Sequence, residues 1–190
     1  MTKHQTAENR STGLNGVDVD GMFATIDAIA NDSGLAAFRF RAANTWIDGG
    51  HNRSAIQGFY GCRKEDESRA TPFVLEADEP PVLLGRDSGA NPVEFILHGL
   101  AACMTTSMVY HAAARGIAIE AVESALEGDL DLRGFLGLSD EVRKGYESIR
   151  VRMRVKTDAD PDTLRELVGF SPVYDVVSRS VPVEVTIETA

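Results

Sequence analysis

An α+β fold, two antiparallel β meanders around a long buried central helix, is what the chain's patterning predicts, and three observations carry that prediction. Residues 91 to about 115 open with a helix-start signature and stay apolar or small nearly all round as far as Val109, with Glu94 and His98 the exceptions. Before this stretch, Phe38, Phe40 and Ala42 alternate with Arg39, Arg41 and Ala43. After it, Ile149, Val151, Met153 and Val155 alternate with Arg150, Arg152, Arg154 and Lys156. Period two on both sides of a long helix reads as strands with one buried face.

Taken in order, residues 1–19 are rich in Thr, Asn, Gly and charge without periodicity, the composition of a flexible, dispensable polar tail. Residues 20–190 read as a single domain, since 190 residues at 43% hydrophobic content suffice for one core and hardly for two. Its first element, residues 20–34, is an extra amphipathic helix: Met22, Phe23, Ile26, Ile29 and Ala30 recur at helical spacing behind Asp20 as N-cap. A strand is expected from Phe38 to Trp46, a turn at Gly49-Gly50, and further strands at 55–60 and 73–75 joined by the charged run 63–69. Residues 78–91 form a connection. In Asn91-Pro92-Val93-Glu94, Asn caps the helix, Pro occupies its first position and the Glu94 carboxylate bonds back to the cap amide; Gly116 stops the helix. Strands follow at 117–132 and 146–157, helices at Asp160-Pro161 and Ser171-Pro172, and a closing strand at 181–187.

Charge and motifs narrow the function. Asp and Glu number 29 against 19 Lys and Arg, a net charge of −10 that opposes binding to a phosphate backbone, so no nucleic-acid partner is expected. The start lacks the apolar run of a signal peptide, and the stretch around 91–115 is too rich in Ala, Gly, Ser and Thr to read as a span, so no stretch is expected to cross a bilayer and the expected compartment is the cytoplasm. Two cysteines, Cys62 and Cys103, outside any C-x-x-C motif, read as reduced thiols. There is no phosphate loop, dinucleotide fingerprint, nucleophile elbow or H-E-x-x-H, and the histidines lack ligand spacing, so neither a cofactor nor a metal is expected.

The run from Asn91 through Glu94 to Ala101-Ala102-Cys103 carries an N-P-x-E…A-x-C signature, and with it the sequence resembles the OsmC/Ohr (osmotically inducible, organic hydroperoxide resistance) superfamily. The resemblance extends through 78–85, 111–117 and 171–173, and covers roughly residues 38–190. It implies an intertwined homodimer with two active sites at the interface, and reduction of organic hydroperoxides by a cysteine pair with electrons from a thiol. Cys103 matches the family's peroxidatic cysteine, whose thiolate attacks the O–O bond and becomes a sulfenic acid. The resolving position holds Ser171, which cannot condense with a sulfenic acid into a disulfide. In Gly50-His51-Asn52-Arg53, Arg53 is the nearest match to the family's arginine, with Arg39 and Arg41 as alternatives. The family's hydroperoxide reductases carry a glutamate ten residues before the cysteine, where this chain has Val93; Glu94 stands nine before it.

Each of these residues also has a structural reading. Cys103 suits a helix core, Glu94 a capping box, Ser171 an N-cap, Arg53 a solvated strand end and His111 a packed position flanking Cys103. Cys62, in a Gly-Cys-Arg turn, is the other thiol open to resolving Cys103. Two functions therefore stand side by side. The first is an OsmC-like thiol-dependent redox protein, acting on an organic hydroperoxide or another small apolar electrophile through Cys103 with an external thiol as reductant. The second is a non-enzymatic small-molecule-binding dimer that lost the cysteine pair.

Overall fold

The computed structural model describes residues 13–183 and 185–186. It is an α+β fold of antiparallel sheets and a long helix, as expected. The chain divides into two compact units, one of residues Val19–Ile96 and one of Leu97 onward with the described residues before Val19. Helix α2, Pro92–Ala114, runs from the first into the second.

The first unit opens with α1, Val19–Asn31, one residue earlier than expected, which places Asp20 in the first turn instead of at the cap. No residue of α1 is buried in the chain; Phe23 and Ile26 stay 45% and 48% exposed. Asp32 then caps a 3-10 turn over Ser33–Ala36 by accepting from the Gly34 amide at 3.0 Å. The strands are β1 (Ala43–Asp48), β2 (His51–Ile56), β3 (Phe59–Gly61), β4 (Lys64–Asp66) and β5 (Phe73–Ala77). They make a three-stranded antiparallel sheet in the order β1-β2-β5 and a separate β3-β4 hairpin. Gly49-Gly50 is the β1-β2 turn, as read from the dipeptide.

Three expectations here needed the backbone partners to be placed. The strand expected at 38–46 begins at Ala43, its first half contributing only the Arg39 to Tyr60 bridge. The strand expected at 55–60 is two strands split at Gln57-Gly58, where the Gln57 side-chain amide donates to the Arg69 carbonyl and the Arg69 guanidinium to the Gln57 backbone carbonyl. The charged run 63–69 contains β4, because Cys62 and Arg63 both adopt positive φ, 50° and 63°, and so close a two-residue hairpin turn of the type that matches strand twist.

The second unit holds α2 from Leu97, β6 (Ala121–Asp129), α3 (Leu132–Phe135), β7 (Ser148–Lys156), α4 (Pro161–Val168) and α5 (Pro172–Ser178). Helix α2 ends as Gly116 dictates. With φ at +73°, Gly116 donates to the Ala113 carbonyl and Ile117 to the Ala112 carbonyl, so the last carbonyls are satisfied. Strands β6 and β7 pair antiparallel over nine residues, and Ile149, Val151, Met153 and Val155 turn inward as their alternation predicts. They pack with Leu100, Met104, Met108 and Ala112 of α2 and with Leu167 and Val168 at the end of α4. Asp160 and Ser171 cap α4 and α5.

Three further expectations fare differently. Helix α2 is 23 residues long with a mean hydropathy of 1.3 over 18 residues, so by length and composition it could span a bilayer, against the expectation that no stretch does; its packing on β6 and β7 accounts for one stripe of that apolar content as core. Burial of α2 follows one stripe, with Ile96, Ala102, Thr106 and Tyr110 exposed, so cover on all sides does not come from the described residues. The closing strand expected at 181–187 is not formed by its described residues, 181–183 and 185–186; alternation signals a buried face but supplies no strand to pair with, and Val183 is 81% exposed. Ile187 lies outside the described residues.

The tail expected over residues 1–19 includes a docked end. Residues 1–12 lie outside the described residues, but Leu14–Gly16 form a 3-10 turn and Val17 is buried. Asn15, at φ 58°, donates its side-chain amide to the Ile117 carbonyl at 2.9 Å and accepts from the Ile119 amide at 2.8 Å. It thereby occupies backbone groups of a segment expected to be strand, which explains why β6 starts only at Ala121. Asparagine tolerates the left-handed region where most side chains clash. Asn15→Ala should lower the melting temperature by roughly 5 °C, since it removes two hydrogen bonds and strains the turn. An unchanged melting temperature would mean that this contact holds nothing in place.

Candidate functional site

Helix α2 places Cys103 one position before Met104 of the buried stripe, hence about 100° around the helix. The thiol is half-buried, on the border between that stripe and the exposed residues Ala102, Thr106 and Tyr110. The residue sits on a rigid element and is neither fully enclosed nor exposed.

Glu94 does what the helix-start signature predicts. Its Oε2 accepts from the Asn91 amide at 2.8 Å, while Asn91 Oδ1 accepts from the Val93 amide at 3.0 Å. The Asn91 side-chain amide also donates to Glu79 at 2.5 Å, which ties the helix start to the preceding connection. Glu94 and Cys103 are nine residues apart on one helix, roughly 13 Å along the axis and about 180° around it, so the two do not meet within one α2.

Arg53 lies on β2, directly opposite Glu76 of β5, and its Nε donates to Glu76 Oε1 at 2.6 Å. His51, two residues earlier and on the same face, meets Glu76 Oε2 at 2.9 Å. The bonds from Arg53 and then His51 hold the Glu76 carboxyl below the usual carboxylate range. Arg53 therefore has a carboxylate partner in its own unit. Of its two alternatives, Arg41 forms a two-pronged pair with Glu65 and Arg39 lies 6.0 Å from the centre of the Tyr60 ring.

Ser171 is buried, and its Oγ accepts from the Tyr174 amide at 3.1 Å as N-cap of α5. His111 stacks on Phe170 with ring centres 4.1 Å apart, and burial, with the nearby Arg115, pushes its pKa down. Cys62 is exposed at the tip of the β3-β4 turn. No group of three or more potential metal ligands occurs among the described residues.

Sequence reasoning missed Asp78. This buried carboxylate accepts from the amides of Glu79 at 2.8 Å and of Arg86 and Ser88 at 3.1 Å each, gathering the connection that leads into α2. Gly85 and Gly89 permit that folding, because a Cβ at either would lie about 2 Å from the Glu79 or Glu76 carbonyl oxygen. The available signal was an aspartate between a strand and a Pro- and Gly-rich connection, but this carries no periodicity.

The family model for OsmC-like protein matches residues 85–186, more than half of the chain. The chain belongs to the OsmC-like family. Cys103, Glu94 and Ser171 fall inside the matched span and Arg53 outside it. The fold is similar to that of an OsmC-like protein from Mycoplasma pneumoniae, with a TM-score of 0.53 at 14% identity over 75% of this chain and 89% of that one. It is similar too to an OsmC-like protein from Vibrio cholerae, with a TM-score of 0.53 at 12% identity over 76% and 94% of the two chains. No curated protein matches the sequence.

Proposed function

We propose that this OsmC-like protein is a thiol-dependent redox protein that reduces an organic hydroperoxide or a related small apolar electrophile through Cys103 alone. The observation that carries the reading is the half-buried Cys103 thiol on the rigid α2, in the span that matches the family. The Cys103 thiolate attacks the outer peroxide oxygen, the O–O bond breaks, and the alkoxide leaves to take up a proton. Cys103 is then a sulfenic acid, and an external thiol condenses with it to a mixed disulfide and water. A second thiol releases Cys103 and a symmetrical disulfide, so two thiols are oxidised for each peroxide reduced. Ser171 takes no part in electron transfer and serves as the α5 cap. A cation near Cys103 favours its thiolate, and Arg53 is the candidate once it exchanges Glu76 for the site. The reaction takes place in the cytoplasm.

The working form in this proposal is a homodimer. Exposed Phe23, Ile26, Trp46, Phe73 and Tyr110 give a second copy apolar surface to cover, and a Glu94 acting at Cys103 then comes from the partner chain. Sedimentation at micromolar concentration is expected to give a dimer. A stable folded monomer would end this part of the proposal.

The binding-protein reading keeps one observation in its favour: Arg53 is already paired with Glu76, as a purely structural arginine would be. Consumption of cumene hydroperoxide separates the two, measured with several thiol reductants for the natural protein and for Cys103→Ser. Turnover that depends on Cys103 supports the redox reading, and none with any thiol replaces it with the binding reading.

A further inference from the structure

We infer that the outer face of the β6-β7 hairpin carries a phosphate-binding site built on Arg152 and Arg154. The register of the hairpin makes the case. On this face β7 presents Arg150, Arg152, Arg154 and Lys156, facing Glu127, Ala125, Glu123 and Ala121 of β6. Both ends of the cationic row are neutralised. Arg150 bonds Glu127 at 2.7 Å and also pairs with Asp129, whose carboxyl its guanidinium holds down at about 2, and Lys156 pairs with Glu120.

The middle is different. Opposite Arg152 stands Ala125, which has no acceptor, and neither Arg152 nor Arg154 has a carboxylate within ion-pair distance among the described residues. At the small side chain of Ala125 lies an open depression of about 220 Å³, lined by both arginines with Glu123, Ser124 and Ala125. Two guanidinium groups on alternate residues of one strand are roughly 7 Å apart at their Cα atoms, close enough for both forks to reach one tetrahedral oxyanion. A phosphate dianion offers acceptor edges to each fork and is the match in charge, geometry and size. On a chain of net charge −10 these two guanidinium groups, neither in an ion pair among the described residues, form a local site and not part of a general basic surface. Glu123 on the rim opposes the anion and limits its affinity.

The site stands apart from the Cys103 chemistry and is tested without it, by following the arginine Nε–H signals of the full chain in NMR while inorganic phosphate is added at constant ionic strength against chloride. Saturable shifts of Arg152 and Arg154, with Arg150 unmoved, are expected. Ala125→Glu supplies the carboxylate that the neighbouring rungs already have, so it should leave the hairpin folded and weaken phosphate binding at least tenfold. Arg152→Ala should do the same, and Glu123→Gln should tighten binding. Shifts that are linear in phosphate, shared with Arg150, matched by chloride or unchanged in Ala125→Glu would each overturn the site.

Discussion

Limited treatment with an organic hydroperoxide should leave Cys103 as a sulfenic acid, or as a mixed disulfide once small thiol is present, and should form no disulfide within the chain. The serine at position 171 dictates this outcome, because its hydroxyl cannot resolve a sulfenic acid and is already spent accepting from the Tyr174 amide. Mass spectrometry of tryptic peptides reads the result directly. Cys103→Ser should remove the oxidised product and bring peroxide consumption down to the uncatalysed level. A Cys62 to Cys103 disulfide would instead mean that resolution has moved to the β3-β4 turn. Ser171→Cys gives the complementary experiment. It loses a helix cap worth about 1 kcal/mol, yet should gain a disulfide to Cys103 if the two positions approach as the family's cysteine pair does. A Cys103 untouched by peroxide in both the natural protein and Ser171→Cys would leave only the binding reading.

Asp78→Ala should be the most damaging single change outside α2, lowering the melting temperature by roughly 5 to 10 °C. It removes the acceptor of three backbone amides at once, and with it the connection that delivers Asn91 and Glu94 to the start of α2. Asp78→Asn keeps one acceptor oxygen and should lose less. The same carboxylate predicts a pH dependence. The Ser88 amide first, then those of Glu79 and Arg86, outweigh burial and lower the Asp78 pKa in the folded protein. A depressed folded pKa gives stabilisation that is complete above the unfolded aspartate value, about 3.9, and is lost as pH falls through the folded value. Thermal unfolding followed from pH 7 to pH 3 should therefore show the natural protein losing its advantage over Asp78→Asn only below about pH 4. An advantage that is unchanged down to pH 3 would mean that the charge of Asp78 adds nothing to its hydrogen bonds.

The elements legible in the sequence are those set by local chemistry. Asn91-Pro92-Val93-Glu94 and Gly116 mark the start and stop of α2 because capping bonds and a left-handed glycine are decided within a few residues. Asp160 and Ser171 announce α4 and α5 in the same way, and the alternation from Ile149 to Lys156 gives the inward face of β7. The run from Asn91 to Cys103, which carries the signature of the resemblance, lies inside the span that matches the family.

What the sequence left open depends on partners distant along the chain. Periodicity at 55–60 and 117–132 cannot show that Arg69 clamps a break after β2 or that Asn15 takes the backbone groups ahead of β6. The docked end of the tail and the role of Asp78 were invisible for the same reason, since a single polar side chain has no pattern and its worth lies in the amides that folding brings to it. Arg53 is the sharpest case at the candidate site. The resemblance offered it as the cation for Cys103, but only the pairing of β2 with β5 revealed Glu76 opposite it. Local sequence thus determined the fold class and the boundaries of α2 with the starts of α4 and α5, because caps and periodic faces are short-range properties. Tertiary structure decided which charges are free, because an ion pair is set by strand register, and register is fixed by the packing of the whole sheet.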